Sequence, residues 1–180
     1  PNGSEVFEIL DYAFEQAVSN LDTADKYGNA LSVLGAYHKN GGKHYNIHSK
    51  FSSVDCSLRE TLERSLMRLN LDSLNVYYFH DYSQFAYNLE YHQQISILKK
   101  EGLIKKIGLS VYDNAEFHDA CGYDFVDVIQ FPFNLLDTSS HRDPLIDLAV
   151  KKGKQLYARS IYLQGLFFMD PDFFPQKLTP

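Results

Sequence analysis

The run Leu74-Asn-Val-Tyr-Tyr-Phe-His80 is apolar and aromatic almost throughout, rich in side chains that favour a pleated strand, and it closes on a histidine. Immediately before it, Leu58, Leu62, Leu66 and Leu69 recur at the spacing of one helical face. Helix then strand is half of a βα repeat, and the same order returns on both sides. Upstream, Val6, Ile9, Leu10, Ala13 and Ala17 form a helical stripe behind a Ser4 cap, and Asn20-Leu-Asp-Thr-Ala24 reads as a strand end. Downstream, Ile95 and Leu98 lead through Gly102 into the strand Ile104-Lys-Lys-Ile-Gly-Leu-Ser110, and Asp113 with Glu116 predicts a capping box for a short helix. Phe125-Val-Asp-Val-Ile-Gln-Phe131 reads as a buried strand. Asp143-Pro144 caps and starts a helix that Gly153 ends, and Gln155-Leu-Tyr-Ala-Arg-Ser-Ile161 is a further strand.

One polar residue near the C-terminal end of each strand gives the series Asp22, Lys50, His80, Ser110, Gln130 and Ser160, with separations of 28, 30, 30, 20 and 30 residues. Each step is about one βα unit, which predicts a parallel sheet with crossover helices. An open dinucleotide-binding sheet would carry a G-x-G-x-x-G turn after a strand, and Gly41-Gly42 lacks that spacing. The expected fold is therefore α/β, a (β/α)8 TIM barrel, as a single domain over residues 1–180. Six strand ends scale to about 240 residues for eight units, against the ~250 typical of such barrels. The chain thus reads as an incomplete barrel with about six of eight strands, lacking the first strand and the C-terminal part.

Composition narrows the function. With 44% hydrophobic and 22% charged residues the chain is ordinary folded protein. A formal net charge of −6 offers nucleic-acid phosphates and anionic lipid no general attraction. No stretch approaches the ~20 apolar residues that span a bilayer. Cys56 and Cys121 have no paired spacing, which disfavours a disulfide scaffold or cysteine-rich zinc site and suits the reducing cytoplasm. His44 and His48 have the i, i+4 spacing of helical metal ligands, but Tyr45 and Ile47 alternate as in a strand, so no metal is assigned.

In a closed parallel barrel every strand delivers its C-terminal residues to one mouth, so Asp22, Lys50 and His80 are expected to converge, with Tyr27 leaning in from the loop after Asp22. The carboxylate would hold the lysine charged, and the ammonium would draw the phenol pKa down from ~10. Tyr27 then reads as a general acid and His80 as a second donor to the same oxygen. Two donors on one oxygen suit carbonyl reduction, and because no side chain gives hydride, a nicotinamide cofactor is implied.

Leu21-Asp-Thr-Ala-Asp-Lys-Tyr-Gly28, Ser49-Lys50, Glu63-Arg-Ser-Leu66, Tyr78-Phe-His80, Ile107-Gly-Leu-Ser110, Val128-Ile-Gln130 and Phe133-Asn134 together resemble the successive signatures of the aldo-keto reductase family, in order, from about Glu5 to Phe168. The resemblance implies a catalytic tetrad of Asp22, Tyr27, Lys50 and His80. It further implies cofactor contacts from Ser110 and Gln130 to the nicotinamide carboxamide and from Ser160 to the diphosphate, with NADPH, or alternatively NADH, as hydride donor and a small carbonyl compound as substrate. Two positions depart from the family pattern. Val111 stands where an Asn often meets the carboxamide, and Arg159 stands, as a cofactor-binding residue, where an aromatic usually stacks on the nicotinamide, its planar guanidinium offering a stacking face but adding a positive charge. Two rival readings stay open on the residues alone: a barrel aldolase with a Lys50 Schiff base, and a non-catalytic nucleotide-binding sensor or scaffold on the same fold.

Overall fold

Local sequence sets where each helix hands over to a strand. Ser57 caps the helix Leu58–Leu69 through a reciprocal pair of bonds with Glu60, and Asn70, at φ 54°, turns the chain out of it towards Leu74. The computed structural model describes residues 3–52, 56–86, 89–137 and 139–173. Over these the order is α1 (Gly3–Glu15), β1 (Asn20–Asp22), α2 (Ala30–Lys39), β2 (Asn46–Phe51), α3 (Leu58–Leu69), β3 (Leu74–Phe79), α4 (Tyr82–Ala86), α5 (Leu89–Lys100), β4 (Ile104–Ser110), α6 (Asn114–Ala120), β5 (Val128–Pro132), α7 (Ser139–Lys151) and β6 (Gln155–Arg159), followed by 3-10 turns over Leu163–Phe168 and Pro171–Phe173.

All six strands pair in parallel in the order β1-β2-β3-β4-β5-β6, the expected α/β alternation. The sheet is curled. Flat, the strands β1 and β5 would stand roughly 19 Å apart at ~4.8 Å per strand. Yet Gln130 Nε2 on β5 donates to Asp22 Oδ1 on β1 at 3.1 Å. Six parallel strands curled this far form most of a (β/α)8 barrel wall.

On the helix side, Leu31, Phe51, Leu62, Phe79, Leu98, Leu109, Phe117 and Ile129 belong to one continuous core. Several of these are fully buried, each contributing about 1.5–3 kcal/mol. On the concave side Val76, Tyr78 and Val128 form a smaller cluster against Tyr157. Tyr78 lies opposite Gly108 in the register, and a Cβ on that glycine would sit 2.3 Å from the Tyr78 ring, so only glycine lets the phenol cross there. No helix among the described residues is long and apolar enough to cross a membrane.

Several boundaries differ from expectation. Helix α1 begins at Gly3, which puts Ser4 inside it rather than at its cap. Ala17 lies beyond it at φ 64°, and Ile9, on the expected apolar stripe, is 60% exposed. Strand β5 starts at Val128, because Val126 N–H closes a turn onto Tyr123 O at 3.1 Å. Asp113 accepts from Glu116 N–H, but the Glu116 carboxylate accepts from Tyr112 N–H, so only half of the predicted capping box forms. Helix α7 begins at Ser139, leaving Pro144 inside it. Its first turns are tied down by buried Arg142, whose Nη1 donates to Asn114 Oδ1 at 2.7 Å.

Candidate active site

The C-terminal ends of β1, β2 and β3 bring Asp22, Lys50 and His80 to one rim, as the spacing predicts. Lys50 is 1% exposed. Its ammonium donates to the Asp22 carboxylate and to Thr23 O at 3.3 Å. Gln130 donates to the other Asp22 oxygen, so this carboxylate is held from two sides. Tyr27 enters from the loop after β1, where Gly28 at φ 56° turns the chain into α2 and Arg68 of α3 holds Gly28 O at 3.2 Å. The Tyr27 ring lies 5.3 Å from Lys50 Nζ and meets the His80 ring edge to face at 6.1 Å. All four groups of the expected tetrad are therefore neighbours.

The electrostatics reverse one expectation, the direction of the Tyr27 pKa. Burial is the larger influence on Lys50 and lowers its pKa, with the Asp22 charge acting in the opposite sense. The Tyr27 phenol is raised rather than drawn down, first by burial and then by Asp22, against a lowering influence of Arg159. The Asp22 carboxylate travels with the Lys50 ammonium, so the pair presents no net cation to the phenol. His80 is lowered by burial and by the charges of Lys50 and Lys26, which leaves a neutral imidazole at pH 7.

Ser110 and Gln130 face each other in the β4–β5 register, and both are buried. Gln130 Oε1 has no hydrogen-bond partner among the described residues. Arg159 ends β6. Its guanidinium stacks 4.3 Å over the Tyr112 ring, and Nη2 donates to Val111 O at 3.4 Å. Ser160, just past β6, is exposed at φ 60° and leads into a segment where Leu163, Gln164 and Gly165 also have positive φ.

The Aldo/keto reductase family matches residues 1–176. The chain belongs to that family. It is 26% identical over 184 residues to the aldo-keto reductase str7 of Strobilurus tenacellus, covering 94% of this chain and 55% of that protein. It is 28% identical over 113 residues to the NADH-specific methylglyoxal reductase of Escherichia coli, covering 61% of this chain and 34% of that one. The structure superimposes with a TM-score of 0.76 on an aldo-keto reductase from Klebsiella pneumoniae in complex with NADPH, at 20% identity, over 91% of this chain and 60% of that one. The chain thus spans about half the length of the first of these relatives.

For an aldo/keto reductase chain the two departures look different in space than in sequence. The Val111 side chain is fully buried in the helix-side core, and its backbone takes part instead, the N–H donating to Gln130 O at 2.9 Å and the carbonyl accepting from Arg159. Thr23, Tyr112 and the bond from Gln130 to Asp22 are parts of the site that residue spacing does not single out. Tyr112, two residues past Ser110, carries a positional signal; the Gln130 bond spans 108 residues and carries none. Of the two histidines weighed for metal, His44 is exposed, whereas His48 is buried in β2 with Nδ1 3.4 Å from the Tyr78 hydroxyl.

Proposed function

We propose that this aldo/keto reductase chain carries the catalytic site of an oxidoreductase that reduces an aldehyde or ketone to an alcohol with NADPH or NADH. The observation that supports it is the joint placement of Tyr27 and His80 over the Lys50–Asp22 pair. The mouth also fits a dinucleotide. Gln130 Oε1, buried and unpartnered beside Ser110, is the acceptor a primary carboxamide requires. The left-handed backbone at Ser160, Leu163 and Gln164 is strain of the sort that collects at ligand clamps. When bound there, the reduced cofactor supplies the hydride that adds to the carbonyl carbon while the π-electron pair passes to oxygen.

The chain's own residues then act on that oxygen. Neutral His80 donates an N–H bond that orients the carbonyl. Tyr27, whose raised pKa keeps it a phenol at neutral pH, delivers its hydroxyl proton as charge builds on the oxygen. Lys50, beside the ring, stabilises the phenolate left behind, and Asp22 and Gln130 hold Lys50 in place. The E. coli relative is named for NADH and the Klebsiella structure contains NADPH, so the test uses both. The full chain is titrated with each nucleotide by nicotinamide fluorescence, and a panel of aldehydes and ketones is then added while absorbance is followed. Turnover in the parent and a loss of ~10² to 10⁴-fold in Tyr27→Phe is the expected result. Oxidation that survives Tyr27→Phe would sink this assignment.

The lowered pKa of Lys50 is the one observation that favours a Schiff-base aldolase. Its engagement with Asp22 and Thr23 O opposes that reading, and failure of borohydride to trap a carbonyl adduct on Lys50 is the expected outcome.

A further inference from the structure

Lys50 has a cross-strand neighbour that the reaction does not use. Its ammonium has three N–H donors, of which one meets the Asp22 carboxylate and one Thr23 O at 3.3 Å; among the described residues no third acceptor lies within hydrogen-bond distance. Opposite Lys50 in the β2–β3 register stands Tyr78, and Lys50 Nζ lies 5.8 Å from the centre of its ring, within the range of a cation–π contact. The Tyr27 ring is as near, at 5.3 Å, but it is 46% exposed and its hydroxyl serves the carbonyl oxygen. Tyr78 is fully buried. Its place is fixed by its neighbours: Gly108 on β4 leaves the space that a Cβ would close, and the hydroxyl lies 3.4 Å from Nδ1 of His48, itself buried and edge to face with the Tyr157 ring at 4.9 Å.

We propose that Tyr78 is a positioning residue for the reaction, its buried ring face holding the Lys50 side chain at the rim as an ammonium. This rests on the reductase reading above, in which the charged lysine stabilises the Tyr27 phenolate. The charged and titratable groups that act on Lys50 are Asp22 on β1, Tyr27 in the loop after β1, His80 beyond β3 and Arg159 on β6. Burial and Arg159 favour the neutral amine, and the Asp22 charge favours the ammonium. A π-face attracts the ammonium and offers the amine nothing comparable, so Tyr78 acts on the side of Asp22. It does so without a second carboxylate, which would raise the Tyr27 phenol further in the way Asp22 already does. His48, held neutral at pH 7 by burial, adds no competing cation behind the ring. An uncharged quadrupole therefore supports the cation and leaves the neighbouring acid usable.

The test reads Lys50 directly and then the reaction. The full chain is made with isotope-labelled lysine, the Lys50 signal is assigned by its loss in Lys50→Gln, and its titration midpoint is followed by NMR in the parent, Tyr78→Phe, Tyr78→Leu and Tyr78→Met. Tyr78→Phe keeps the ring and is expected to keep the parent's midpoint. Tyr78→Leu and Tyr78→Met keep apolar bulk but lose the ring, and are expected to lower the midpoint by about half a pH unit to one and a half; the second of them serves if the first fails to fold. In turnover the same two variants are expected to lower kcat by about 2- to 30-fold and to bring in the alkaline limb of the kcat–pH profile at lower pH, with KM and nucleotide affinity as in the parent. A midpoint that stays or rises without the ring, or falls as far in Tyr78→Phe, overturns the proposal, because the ring face would then be packing alone. Turnover with an unmoved midpoint overturns this inference and leaves the reductase reading standing. A midpoint lowered in the ringless variants, in a chain that turns over no carbonyl, supports the hold on Lys50 and sinks the reductase reading.

Discussion

The two ends of the curled sheet are built from the same strands and hold their charged groups differently. At the C-terminal end Lys50 is buried against Asp22, Gln130 bonds to the same carboxylate, and Ser110 and Arg159 end neighbouring strands. At the N-terminal end Asn20, Asn46, Asn75, Lys106 and Gln155 line a cavity of about 150 Å³. There the polar groups pair with neutral partners near the surface: Asn75 with Asn46 at 2.9 Å, and Lys106 with Gln155 at 2.7 Å. Between the two ends His48, Val76, Tyr78, Val128 and Tyr157 form an aromatic and apolar layer. The difference teaches where this chain buries charge. At the C-terminal end the buried ammonium of Lys50 is met by a carboxylate; at the other end Lys106 stays solvated, and the buried ammonium of Lys154 is met by backbone carbonyls, donating to Tyr123 O at 2.6 Å and Val126 O at 2.8 Å.

Removing the counter-charge breaks the comparison most severely. Asp22→Asn leaves the Lys50 ammonium, whose side chain is 2% exposed, without compensation and is expected to cost about 3 kcal/mol of stability. Lys106→Gln at the opposite end is expected to stay within about 0.5 kcal/mol. Urea midpoints measure both, and equal shifts would show that the two ends are not energetically distinct.

Acid probes the layer between them. Burial lowers the His48 pKa from 6.5 to about 4, so the folded state holds this ring neutral where the unfolded chain would protonate it. Because the unfolded chain binds more protons in that window, stability is full above pH 6.5 and falls towards pH 4, by up to about 3 kcal/mol for this group. The lowered pKa of His80 adds loss of the same sign. A stability–pH curve that flattens in His48→Gln is the expected outcome; an unchanged curve would remove His48 from the account.

A substitution inside the same layer sharpens the comparison further. Gly108→Ala puts a methyl group against the Tyr78 ring, which is fully buried, and is expected to cost about 1–3 kcal/mol through overpacking. Tyr78→Phe should not rescue it, because the clash is with ring carbons; Tyr78→Leu should.

Much of this architecture is legible in the residue pattern alone. The strand Ile104–Ser110 has its expected bounds at both ends, between Gly102 and the Asp113 cap. Asp22, Lys50 and His80 stand out because parallel strands of similar length put residues about 30 apart on one rim. What the pattern hides depends on distance or burial. Ile9 keeps perfect helical spacing yet faces water, since periodicity marks a face and not what covers it. Pro144 reads as a helix start because proline is at home there, and the tertiary bond from Arg142 to Asn114 that begins the helix earlier leaves no local trace. The direction of the Tyr27 pKa is not readable from residue types, because it turns on how burial and the Asp22 charge outweigh Arg159.

The bond from Gln130 to Asp22 also has a meaning in time. Every strand of the sheet pairs with its neighbour in sequence, so the wall can grow one strand at a time from contacts that are local along the chain. Lys50 and Asp22 close a loop of 28 residues, but Gln130 and Asp22 close one of 108. The longer loop costs about 1 kcal/mol more in chain entropy and needs five strands already in place. The rim that Asp22 and Gln130 share is therefore expected to close only after the five strands that carry it have paired. A Gln130→Ala chain should refold at the parent's rate and unfold faster, with its loss of stability appearing almost wholly in the unfolding arm.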